Sequence, residues 1–100
     1  MPAYYIDNLI THNRTSTDQV VGTLTREYGK YHLDLKKQQT KTWIDTAEIL
    51  KEFFNETKNN IPDIENWGLL YEYKIPRRAK RIDVVLLSKN LIFVLEVIRD

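Results

Sequence analysis

One hundred residues hold one hydrophobic core with no room for a second domain, so residues 1–100 are expected to form a single unit. An apolar share of 42% with 29% charged residues is the make-up of a water-soluble globular chain, and a net charge of +1 gives no overall pull toward nucleic acid. The absence of cysteine excludes disulfides, zinc–thiolate centres and thiol catalysis.

The first residues, MPAYYIDNLI, lack the basic start and apolar stretch of a signal peptide, and no run is apolar enough to span a bilayer, so the expected setting is cytoplasmic, away from membranes. A short helical turn is expected around Ile6 to Ile10. Thr15-Ser16-Thr17-Asp18 is a helix N-cap cluster, and Val20, Val21, Leu24 and Tyr28 then recur at helical spacing until Gly29. A longer helix follows from about Lys36 to Lys58, with Trp43, Ala47, Leu50 and Phe54 on its apolar face and Ile44 and Phe53 widening the stripe. Asn59-Asn60-Ile61-Pro62 ends it, so residues 1–60 are mainly helical. His12 and His32 stand apart without metal-ligand spacing and read as surface or cap residues.

After Gly68 the period changes to that of strands: Leu69–Ile75, Arg81–Leu87 and Leu91–Val97. A two-residue turn at Lys89-Asn90 pairs Ser88 with Leu91, using the tolerance of asparagine for positive φ. The expected fold is therefore α+β, one half of an α/β sandwich: N-terminal helices on a three-stranded antiparallel meander over residues 69–97. Ile82, Val84 and Leu86 make one side of the hairpin apolar, and Val85 and Leu87 do the same for the other. Strands apolar on both sides are normally sandwiched, and the helices cover only one side. A second copy of the chain or a further C-terminal segment is expected to cover the other.

Asp83 and Glu96 are each a lone carboxylate within an apolar strand, where desolvating a charge without a partner costs several kcal/mol. Counted back from the Lys89-Asn90 turn, the two lie directly opposite each other. Like charges so placed repel unless a cation sits between them. A three-residue loop would put them on opposite faces, so the reading depends on register. Beside them, Lys74, Arg77, Arg78, Lys80 and Arg81 place five cations in eight residues, which suits either a solvated turn or a loop that contacts phosphates.

Helix, then three antiparallel strands with an acid on the second and E-x-x on the third, resembles the first half of the PD-(D/E)xK nuclease core, that is, a truncated restriction-endonuclease-like fold. The string YEYKIPRRAKRIDVVLLSKNLIFVLEV is similar to the N-terminal region of a bacterial family of large proteins. In these a nuclease-like segment precedes a Schlafen-related P-loop DNA/RNA helicase or ATPase. Tyr4-Tyr5, LTREY at 24–28, Gln38-Gln39 with Trp43, and EILKE at 48–52 extend the similarity upstream. The resemblance implies Mg²⁺-dependent cleavage of nucleic acid, DNA ahead of RNA, with Asp83, Glu96 and the Val97 carbonyl as metal ligands. Glu48 or Glu52 is a further ligand candidate, against the simpler reading of a solvated helix face. Lys74, Arg77, Arg78, Lys80 and Arg81 would contact phosphates.

Two departures stand out. Ile98 occupies the position of the motif lysine, and Arg99 points to the opposite side of the strand. Lys74 or Lys80 is left as a source of a relocated amine. With glycine only at 22, 29 and 68, no P-loop exists in this chain, so the helicase or ATPase is expected to be missing from it. The expectation is a truncated nuclease-like domain with weak or lost catalysis. The alternatives are a catalytically dead nucleic-acid-binding or homodimerisation module, and a small α+β protein with no site.

Overall fold

The amphipathic patterns of the chain converge on one layer of helices against one sheet. The computed structural model describes residues 3–30, 37–76 and 80–96. The elements run β1 (Tyr5–Asn8), α1 (Leu9–Arg14), α2 (Thr17–Gly29), α3 (Lys37–Thr57), a 3-10 helix (Pro62–Asn66), β2 (Gly68–Lys74), β3 (Arg81–Leu87) and β4 (Ile92–Leu95). The class is α+β: three helices and a four-stranded antiparallel sheet in the order β1-β2-β3-β4. No helix among the described residues is long and apolar enough to cross a membrane.

The sheet has one strand more than the sequence pattern suggests. Where a helical turn is expected from Ile6, Tyr5–Asn8 pairs with β2, Tyr5 opposite Tyr71 and Asn8 opposite Gly68. Four residues are too few for a period to declare itself, and the partner strand lies some sixty positions away. The helix begins only at Leu9, where the Asn8 side chain accepts a hydrogen bond from the Thr11 N–H and caps it. At α2 the Ser16 side chain does the same for the Gln19 N–H. The helix α3 keeps the expected stripe: Trp43, Ala47, Leu50 and Phe54 are all buried. It closes at Thr57 into an Asn-rich turn, and Pro62 then starts the 3-10 helix, which buries Ile64.

The core lies between the helices and the side of the sheet carrying Leu69, Tyr71, Val84 and Leu86. Leu9, Val20 and Leu24 join it from α1 and α2. Full burial of each such side chain contributes about 1.5–3 kcal/mol.

His12 departs from the sequence reading. It is fully buried rather than a surface or cap residue. Its Nε2 lies 2.8 Å from the Tyr71 hydroxyl, and the Tyr5 ring meets both the His12 and Tyr71 rings edge-on. The new strand β1 brings the Tyr5 ring to this place, and Tyr71 of β2 gives a histidine without local partners its polar contact inside the core. His32 lies outside the described residues.

Candidate functional site: an acidic row across the sheet

The hairpin β3–β4 fixes the geometry. The Ser88 N–H donates to the Leu91 carbonyl at 2.9 Å, closing a two-residue turn at Lys89-Asn90. Val84 then pairs with Leu95, Val85 with Val94, Leu86 with Phe93 and Leu87 with Ile92. The pairing ends there; continued by one residue, the same register would bring Asp83 opposite Glu96, the residue that follows β4. Asp83 alternates with Val84 and Leu86, which face the helices, so it belongs to the sheet side turned away from them. It is half-buried, and Glu96 is exposed.

A third acid completes the row. Tyr71 pairs with Val84 and Tyr73 with Ile82, which leaves Glu72 opposite Asp83 on the other flank. Glu72 has φ of 55°, in the left-handed region that side chains other than glycine seldom adopt. Its carboxyl is pushed up to about 7, first by burial and then by the negative charge of Asp83, with Arg81 pulling the other way. This is the electrostatic condition that a bound cation would relieve. Sequence reasoning passed over Glu72 because Y-E-Y-K alternates like any strand with a solvated side. The signal available was its distance from the turn: the register that sets Asp83 against Glu96 continues across β2.

Among the described residues, no three acidic or histidine side chains converge as a metal cage. Magnesium does not require one. It binds through one or two carboxylates and fills the remaining octahedral positions with water and substrate phosphate. Asp83 and Glu96, with Glu72 beside them, fit that demand in donor chemistry and charge. Glu48 and Glu52 are exposed on α3, the solvated helix face that was their simpler reading.

The basic segment divides. Lys74 and Lys80 are exposed, where a phosphate could reach them. Arg81 is engaged within the fold: its guanidinium sits 4.0 Å from the centre of the Tyr4 ring and donates to the Glu72 carbonyl at 2.6 Å. It braces the strand at the Glu72 distortion. Lys74 pairs with Arg81 two residues along from the acidic row, about 7 Å away at strand rise. Arg77, Arg78, Val97 and Ile98 lie outside the described residues.

No family model, curated protein or solved structure matches this chain.

Proposed function

We propose that the acidic row holds a divalent cation and serves phosphodiester chemistry on nucleic acid, as a truncated nuclease-like domain of the PD-(D/E)xK kind whose cleavage is weak or lost. The observation that supports this reading is the hairpin register, which, continued one residue past Val84 and Leu95, would bring Asp83 opposite Glu96, with Glu72 under like charge on the other flank. Asp83 and Glu96 would be the ligands, and the resemblance adds the carbonyl of Val97, which lies outside the described residues. The cation, Mg²⁺ or Mn²⁺, would supply Lewis acidity toward the phosphate and its attacking water. Lys74 and Lys80 would hold the phosphate backbone near the row.

The motif lysine would normally position the attacking water, and Ile98 cannot. Lys74, on the strand next to Asp83, and Lys80 are the described amines of the basic segment that could replace it in part. Loss of such a group lowers rates by about two to four orders of magnitude.

The test is nicking of supercoiled DNA by purified protein with Mg²⁺ or Mn²⁺, against chelator and against Asp83→Ala. Slow nicking is expected from the native chain and none from Asp83→Ala. No cleavage, or equal cleavage by both, removes the enzyme reading. The exposure of Lys74 and Lys80 favours a second reading, a non-catalytic nucleic-acid-binding module. In that case binding without cleavage would survive Asp83→Ala and weaken steeply with salt.

A further inference from the structure

Strand β4 is an edge without the usual protection. Natural edges are blunted by charge, proline, a bulge or a covering element. Ile92–Leu95 carries neither charge nor proline, all four residues are exposed, and among the described residues nothing pairs with its outer side. The other edge, β1, carries Asp7 and turns at once into α1.

The edge is also apolar on both faces. Phe93 and Leu95 point toward the helix layer, where with Ile49, Leu50 and Phe53 of α3 they line an open groove of about 410 Å³. Ile92 and Val94 point the other way and are 70% and 56% exposed. Whatever binds this edge must present a strand that is apolar on both sides, and β4 itself has that pattern. Ile49 and the run from Leu91 to Leu95 are each between 37% and 70% exposed, a contiguous apolar patch of the kind that marks an interaction surface.

We infer that two copies of this chain pair antiparallel through β4 about a two-fold axis at Phe93, making one continuous eight-stranded sheet. The hydrogen-bond pattern sets which residues face the partner, and the side-chain pairs select the register. Because Ser88 bonds to Leu91, alternation directs the N–H and C=O of Leu91, Phe93 and Leu95 to β3 and those of Ile92 and Val94 outward. A two-fold axis perpendicular to the sheet keeps each face continuous, and it must pass through a residue rather than between two. Centred on Phe93, it sets Ile92 opposite Val94 and Leu91 opposite Leu95 of the partner copy, apolar against apolar, and satisfies the outward groups of Ile92 and Val94. Centred on Val94, it would set Ile92 against Glu96. The two grooves then meet on the helix side, with Phe93 of both copies at the axis and Ile49 reaching the seam.

The test has two independent arms. In light scattering the native chain is expected at twice 11.9 kDa. Val94→Pro removes an outward N–H that β3 does not use, so it is expected at 11.9 kDa with an unchanged circular dichroism spectrum. In the second arm, Phe93→Cys and Val94→Cys each give the chain a single thiol. On mild oxidation Phe93→Cys is expected to close to a covalent dimer, while Val94→Cys, off the axis, does not. A native monomer at tens of micromolar overturns the inference, as does closure of Val94→Cys in place of Phe93→Cys. Neither readout depends on metal or cleavage, so failure here is separate from failure of the nuclease reading.

Discussion

At the scale of single residues, the chain holds two groups whose titrations oppose each other. Burial lowers His12 to about 4, with the Lys51 charge adding to the shift and Asp7 opposing it. The folded state therefore binds fewer protons than the unfolded state between about pH 4 and 6.5, and stability falls as pH falls through that window, by about 3 kcal/mol in all. Glu72, raised to about 7, binds more protons when folded and loses stability as pH rises from about 4.5. The two terms run in opposite directions between about pH 4.5 and 6.5, and urea midpoints of the native chain should change little there. Glu72→Gln removes one term, so its midpoint should rise with pH across the same window. His12→Gln, which keeps a partner for the Tyr71 hydroxyl, should show the reverse slope. Parallel profiles for all three proteins would contradict the assignment.

At the scale of elements, α1 is held from outside. With only six residues it cannot persist alone. Lys51 of α3 donates to the carbonyls of His12 and Asn13, each at 3.2 Å, and to that of Thr15. An ammonium at a helix C-terminus meets both the free carbonyls and the negative end of the dipole. Lys51→Met should lower stability by about 2 kcal/mol in urea unfolding, the scale of losing hydrogen bonds to a charged donor. Amide exchange should rise first in α1 and leave α3 protected. The helix α3 itself is secured by packing: Trp43 meets Tyr28 edge-on and is buried. Trp43→Ala should cost about 3–5 kcal/mol.

At the scale of the molecule, the helices cover one side of the sheet, and on the other side Val85 is buried while several apolar residues stay exposed. Ile6, Leu87, Ile92 and Val94 are exposed on or beside that side. The groove between α3 and β4 opens toward the helix layer, with Trp67 stacked on Phe93 at its wall, ring centroids 5.4 Å apart. The folded protein should therefore bind an apolar dye in native buffer. The Trp67 emission should change on binding, while Trp67→Phe, which leaves the buried Trp43, should abolish that change.

The two longer helices and the three C-terminal strands were legible in the sequence. The 3.6-residue stripe of Trp43, Ala47, Leu50 and Phe54 and the alternation of residues 81–87 are local patterns that the core reads directly. The two-residue turn at Lys89-Asn90 carried the register, so Asp83 and Glu96 could be paired by counting. The rest followed from long-range contacts. Tyr5–Asn8 becomes a strand because β2 offers a free edge, not because four residues prefer to be extended. That strand lays the Tyr5 ring against His12 and Tyr71. Glu72 joins the acidic row through its neighbour on β3, and Arg81 turns from open cation to brace because Tyr4 folds over it. Each of these contacts joins residues distant in the chain, and no local pattern encodes a partner that arrives only on folding.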